Sequence, residues 1–489
     1  MLTNITLENF KAFQKLDNLK VKPITILCGT NSCGKSSILQ SILLLKQTLE
    51  SKNPNQNLLL NGRFVKLGYF EDIIYQKNKA NEVKISLSLN NMTDKALGFS
   101  YYTDPNYQSS AYHDPYRFFY DTEVSLLLKT ENNLTVIQEI SLKVWIDDKH
   151  GTYELMQIIL SKQEGKTYIV KWTNIEIENK RQGETELQID FSNFFQINLN
   201  FEGLNFKQKT QKIENFKNLS QFFSLFEDCL KDIYAKYTYL GPLRGEPERE
   251  YIYRDEVVEI GNKGENAAFL YLAQQNELVN SHFFYNKIND NFEKISQLSL
   301  KDALNKWFDL MKIDNFDGEI INKIIYLSLN ASKYDQTKVG IADVGFGVSQ
   351  IFPIVLEGLR MEKGSTLLLE QPEIHLHPNL QMQMADYFIS LALSGKRVMA
   401  ETHSDHIINR LVRRIVEDDT QNLKDLIGIY FIKPSENGSV YEQIHIDDTK
   451  GITNWPVDFF DQTANEQLRI MQAGLKKRKN LRNPIPNSL

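Results

Sequence analysis

The chemistry that can be read first lies in the segment GTNSCGKSS, where Gly29, Gly34, Lys35 and Ser36 satisfy the spacing G-x-x-x-x-G-K-S. Each residue type has a task there. Glycines let backbone N–H groups curl around phosphate oxygens, a lysine reaches the β and γ oxygens, and a hydroxyl is offered to Mg²⁺. Asn31, Ser32 and Cys33 inside the motif, and Ser37 just after it, belong to the same cradle. The pattern predicts a bound nucleotide triphosphate with its metal ion.

A second group lies far downstream, in STLLLEQPEIHLHP. An apolar run ends there in Glu370, the Walker B arrangement, in which a strand-tip carboxylate orders the Mg²⁺ water shell. Gln371 follows. A glutamine orients water without accepting its proton, so Gln371 is a candidate for positioning the attacking water. Glu373, two residues on, is the competing candidate if the turn at Pro372 brings it inward. The segment RVMAETHSDH adds His403 at the end of the next strand, within reach of a γ-phosphate or its water. Ser36 and Glu370 are the expected metal-side residues.

These groups need a scaffold of strands and helices. ITLENF and KPITILCG have the composition of strands, and from Gly34 a helical pattern places Ile38, Ile42, Leu45 and Leu49 on one face. Between 83 and 200, short alternating runs such as VKISLSLN, EVSLLLKT and ISLKVWID recur without intervening helices, which predicts antiparallel sheet. Residues 212–236 and 265–312 are expected to be helical. Strand–helix alternation resumes at 320 with IINKIIYLSLN, a helix from about 348, the strand STLLLE, a helix from about 379 and the strand RVMAE. The basic end KKRKNLRNPIPNSL is expected to fray.

Composition narrows the class. A chain of 489 residues is about three times a 150-residue domain, so two or three domains are expected. With 56 Lys and Arg against 62 Asp and Glu, the net charge of −6 leaves no global basic field for nucleic acid. No apolar run reaches a membrane span, and the start lacks a signal-peptide core. Three cysteines, Cys28, Cys33 and Cys229, have no metal-ligand spacing and fit reduced thiols in a cytoplasm.

In order, ITLENFKAF, GTNSCGKSS, LEQPEIHLHP and ETHSDHI resemble the ABC-type ATPase heads of the SMC, RecF and OLD group. More narrowly, the chain is similar to the bacterial "AAA family" ATPases of that group found in anti-phage defence islands. YLGPLRGEPEREY, EIGNKGENAAF, DVGFGVSQIFP and NWPVDFFDQ carry that narrower resemblance, which thins across 83–230. It implies ATP held between two heads, each head's signature segment facing the other's phosphate loop. Here that segment is DVGFGVSQ, with Gly345, Gly347 and Ser349 as nucleotide contacts across the dimer. The motif's usual serine is Gly345 in this chain.

Other constellations are weaker. His375, His377, His403 and His406 cluster in sequence, but their spacings are poorly matched for zinc. Asp447–Asp448 lacks the Asp-x-Asp spacing of a fused TOPRIM nuclease. Arg244 and Arg249 are either phosphate sensors or solvated loop charges. Lys476, Lys477, Arg478, Lys479 and Arg482 suit a solubilising tail better than a nucleic-acid contact.

The expectation is therefore an α/β fold, a P-loop ABC-type ATPase head split by an inserted antiparallel β lobe and a helical segment. Its parts would be head residues 1–82, an insert at 83–235, a joining helical segment at 236–319, head residues 320–470 and a basic tail at 471–489. The resemblance implies a cytoplasmic, slowly hydrolysing, Mg²⁺-dependent ATPase without a membrane partner, working as a homodimer or higher homo-oligomer. It would act as a switch on a separately encoded effector, a nuclease or toxin. Two alternatives stay open: a RecF- or SMC-like ATPase that binds nucleic acid, and a nucleotide-sensing scaffold with negligible turnover.

Overall fold

A computed structural model describes residues 1–51, 57–93, 119–131, 134–148, 151–176, 179–192, 194, 196–199, 223–224, 226–252, 259–419, 422–456 and 462–482. Strands β1 (Leu2–Phe10) and β2 (Phe13–Lys20) form an antiparallel pair, and β3 (Ile24–Gly29) is buried from Ile24 to Cys28. Helix α1 (Lys35–Leu49) follows the phosphate-loop segment. Its expected apolar face is buried, and so is most of its remaining circumference. The polar residues it buries are satisfied locally: Ser41 donates to the Ile38 carbonyl at 2.8 Å and Thr48 to that of Leu44 at 2.7 Å.

The alternating runs become β4 (Val83–Thr93), β5 (Phe119–Glu131), β6 (Leu134–Asp148), β7 (Gly151–Lys162), β8 (Thr167–Glu176), β9 (Asn179–Ser192) and β10 (Gln196–Leu199). They form the expected antiparallel meander. Its first strand, β4, pairs with β1, so the meander extends the sheet that contains β1, β2 and β3. Strand β11 (Tyr237–Leu240) closes the opposite edge. A helical segment at 226–235 buries Phe226, Leu230 and Tyr234, one turn apart, in the same core as α1 and the inserted strands.

Next come β12 (Tyr251–Ile252), α2 (Ala267–Gln274), β13 (His282–Asn286), β14 (Asn291–Ile295), α3 (Leu300–Leu310), β15 (Asp317–Ile321), β16 (Ile324–Ser332) and β17 (Asp335–Gly340). After these lie α4 (Gly347–Arg360), β18 (Thr366–Glu370), α5 (Pro378–Leu393), β19 (Arg397–Glu401), α6 (Asp405–Glu417), β20 (Ile427–Ser435), β21 (Gly438–Gln443) and α7 (Gln462–Arg482). The main sheet runs β10-β9-β8-β7-β6-β5-β4-β1-β2-β21-β20-β3-β19-β18-β11. Its stretch from β20 to β11 is parallel throughout. The fold is mixed α/β, with a parallel centre that continues into a long antiparallel wing.

The structure corrects three element assignments. Residues 265–312 are not continuously helical, because the hairpin β13–β14 separates α2 from α3. Asp290 takes a φ of 50° there, and the Asn286 side chain accepts from the Ile288 backbone at 2.9 Å, closing the turn. The run IINKIIYLSLN splits at Asn322 and Lys323, with φ of 52° and 64°, into the hairpin β15–β16. That hairpin joins β12 and β17 in a separate antiparallel sheet, so the parallel centre resumes only at β18. The basic end is helical as far as Arg482, with Lys477 and Arg478 exposed on α7, while residues 483–489 of the expected frayed end lie outside the described residues. Parts of two expected segments, 212–222 and 457–461, lie outside the described residues.

Candidate nucleotide site

The site forms where the parallel strands end. Along β18 and β19, Leu367, Leu369, Val398 and Ala400 enter the core shared with α4, α5 and α6, while Leu368 and Met399 enter the core shared with α1. The period of two therefore sends Glu370 and Glu401 to the α1 side as well. They are register partners on adjacent strands. Neighbouring strands lie about 4.8 Å apart, which sets the two carboxylates side by side at the sheet edge.

The phosphate-loop segment runs from β3 to α1 on that same side. Gly29 has a φ of 139°, and a Cβ there would collide with the backbone carbonyl of Ile432 on β20. Gly34 has a φ of 95°, and a Cβ there would lie 2.7 Å from the Ala12 side chain in the β1–β2 turn. Only glycine fits either position without strain. Asn31 and Ser32 are exposed, Ser36 is half-buried, and Cys33 and Ser37 are buried. The Cys33 thiol points back to the Thr30 carbonyl at 2.9 Å. Lys35 is 4% exposed, and its Nζ donates to the carbonyls of Gly29 at 3.2 Å and Thr30 at 2.7 Å. The ammonium thus braces the loop whose concavity it would line.

Charge is concentrated at the strand ends. Burial and the neighbouring Glu401 push the Glu370 carboxyl up to about 7, against opposing contributions from Tyr239 and Lys11. The Tyr239 hydroxyl donates to Glu370 Oε1 at 2.9 Å. Burial also raises the Glu401 carboxyl, while a hydrogen bond from Ser36 and the charge of Lys35 act the other way. Glu401 Oε2 is buried with no hydrogen-bond partner among the described residues, and so is Thr30 Oγ1 in the loop. Burial and Lys35 lower the His403 imidazole, which favours its neutral form.

The chain after β18 turns sharply. Gln371 adopts a φ of 46°, and its N–H donates to the Glu401 carbonyl at 2.8 Å. Glu373 does come inward, but both its oxygens are engaged. Oε2 accepts from the Thr402 hydroxyl at 2.8 Å and Oε1 from the His403 N–H at 2.6 Å. Arg244 is buried and donates to the carbonyls of Gln371 at 3.1 Å and Gly241 at 3.3 Å, while burial pulls it down to about 10. It braces the turn beside Glu373. Arg249 is exposed and pairs with Asp343 at 2.6 Å.

The segment DVGFGVSQ lies against a different part of the same chain. A Cβ on Gly347 would sit 3.4 Å from the His375 carbonyl, and the rings of Phe346 and His375 are 5.7 Å apart. Gly345 faces open space. Ser349 is buried and its hydroxyl returns to the Phe346 carbonyl at 2.8 Å. His377 caps α5, its Nδ1 accepting from Asn379 N–H at 3.3 Å, and His375 is exposed. The loop residues, Glu370, Gln371, Glu373 and His403 therefore share one neighbourhood, while Gly345, Gly347 and Ser349 stand on the α4 side of it.

Sequence reasoning passed over Glu401, Tyr239 and Lys11. Glu401 carried a signal, since it ends a buried apolar strand as Glu370 does and directly precedes Thr402 and His403. Tyr239 and Lys11 carried none, because each reaches the site from a remote strand or turn.

A glycine-containing strand-to-helix loop at the carboxyl ends of parallel strands, opposite a strand-tip acid, is an arrangement suited to a nucleotide. Residues 1–408 match the AAA ATPase domain family, and the chain belongs to it. Residues 424–470 match a second family, described as a protein of unknown function (DUF3696). No curated protein matches the chain. Among solved structures, it is similar to the SMC head domain from Thermotoga maritima, with 8% identity and a TM-score of 0.34 over 91% of this chain and 99% of that one. It is also similar to an Smc head domain with an extended coiled coil bound to the C-terminal domain of ScpA, derived from Pyrococcus furiosus. That match has 8% identity and a TM-score of 0.36, over 96% of this chain and 99% of the other. Among the described residues, no helix is long and apolar enough to cross a membrane.

Proposed function

We propose that the chain binds ATP with Mg²⁺ at the 29–37 loop, hydrolyses it slowly, and uses the cycle to close and reopen a homodimer. The observation that carries this reading is the placement of Lys35 and Ser36 opposite Glu370 and Glu401. The residues fit the group: a buried carboxylate oxygen without a hydrogen-bond partner among the described residues, a serine hydroxyl near it and a lysine would hold a divalent cation and a triphosphate. Bound magnesium would neutralise charge on the triphosphate as the γ-phosphoryl leaves.

The protein's own groups do the rest. Lys35 would exchange its carbonyl partners for phosphate oxygens, and Ser36 would turn its hydroxyl toward the cation. Gln371 orients the attacking water, and neutral His403 donates to the γ-phosphate or that water. Positioning without a strong base suits a timer more than a motor.

Closure would bring Gly345 and Gly347 of one protomer, at the start of α4, against the partner's nucleotide. The regulated party would be a separately encoded nuclease or toxin of an anti-phage system, a reading that rests on the sequence resemblance. Sedimentation with and without ATP tests the switch, and ATP should shift monomer to dimer. Stable co-purification with a neighbour-encoded protein supports effector gating. Salt-sensitive, ATP-dependent DNA binding by the isolated chain would replace that reading with a DNA-binding one.

A further inference from the structure

We infer that Glu401 is a second carboxylate of the metal site, acting with Glu370 and Ser36 to hold the divalent cation that accompanies the nucleotide. The inference rests on the reading of the 29–37 loop as a nucleotide site and names a residue that the loop motif does not contain.

Three observations carry it. Glu401 and Glu370 are register partners at the ends of β19 and β18, with side chains on the α1 face. Glu401 is 4% exposed, and its Oε2 has no hydrogen-bond partner among the described residues. The hydroxyl of Ser36, the motif's metal-side group, acts on this same carboxylate against the effect of its burial. A buried acid left half-satisfied beside a second acid is costly unless a cation lies between them.

The surrounding bonds show that the neighbouring turn uses the backbone of Glu401 and not its side chain. Its backbone carbonyl accepts from the Gln371 N–H at 2.8 Å, and the next residue's N–H donates to the Leu27 carbonyl at 3.0 Å. The main chain therefore completes the sheet. Bracing of the Thr402–His403 segment falls to Glu373. The Glu401 side chain is left for the site. Three elements converge on one cation in this arrangement: the strand ends β18 and β19, and the first turn of α1.

The test is titration of the full-length protein with ATP, once in EDTA and once with Mn²⁺, the metal followed by electron paramagnetic resonance. In Glu401→Gln, metal-free ATP should bind as tightly as in wild type or tighter, because one negative charge near the phosphates is gone. The nucleotide-dependent Mn²⁺ affinity should fall about 10–100-fold, the range for loss of a metal-site partner. Glu401→Asp, which keeps the charge on a shorter arm, should lie between the two and covers the case in which Glu401→Gln does not fold. Wild-type Mn²⁺ affinity in either variant overturns the inference. Equal weakening with and without metal also overturns it, because that marks a structural role. If wild type binds no ATP under either condition, the nucleotide-site reading itself fails and this inference falls with it.

Discussion

Glu373 grips the far side of the site through two bonds to adjacent residues, the Thr402 hydroxyl at 2.8 Å and the His403 N–H at 2.6 Å. A carboxylate so engaged is an anchor for the backbone of His403, which favours Gln371 in the proposed water-handling role. Gln371→Ala should cut steady-state turnover by about one to three orders of magnitude, the range for removing a positioned polar group, with ATP affinity nearly unchanged. Glu373→Gln keeps one acceptor and should lose less than Glu373→Ala, which frees the loop that positions His403. Phosphate-release assays decide between them. Unchanged turnover in Gln371→Ala with an inactive Glu373→Gln would return the water to Glu373.

Gly347 probes the dimer. In the proposed dimer an aspartate there would point a charge toward the partner's γ-phosphate, and its Cβ would lie 3.4 Å from the His375 carbonyl. Gly347→Asp should bind ATP as wild type does but lose both turnover and ATP-dependent dimerisation. Normal hydrolysis in that variant would reduce DVGFGVSQ to an ordinary helix start.

The loop glycines and Lys35 were legible because the motif is covalently local, and Glu370 because a strand tip shows in a single run. Glu401 was harder to see, since its partnership with Glu370 is a register between strands about 30 residues apart in sequence. Arg244 could not be assigned from sequence, because only folding shows that its guanidinium serves the Gln371 carbonyl. The hairpin at Asn322–Lys323 escaped because neither residue is glycine, although both adopt left-handed backbone. Burial of α1 on nearly every side follows from the inserted sheet and the 226–235 helix, which no local periodicity in α1 announces.

The Glu370 carboxyl, raised from 4.5 to about 7 by burial and Glu401, makes stability of the metal-free protein depend on pH. Its folded-state value is the higher one. Its contribution is therefore complete below pH 4.5 and is lost as pH rises through about 7. Relative to Glu370→Gln, wild type should lose roughly 1–3 kcal/mol between pH 5 and 8. Thermal melts in EDTA across that window measure the difference. A constant gap would mean that Glu370 is ionised throughout.

The most direct measurement is calorimetric titration of ATP, with magnesium present, into wild type and Lys35→Ala. Lys35 braces the loop through the Gly29 and Thr30 carbonyls and lies outside the apolar core clusters, so the variant should fold with an unchanged far-ultraviolet spectrum. Wild type should bind one ATP per chain, and the variant should show no measurable binding. Wild-type affinity in Lys35→Ala would contradict the assignment of the nucleotide to this loop.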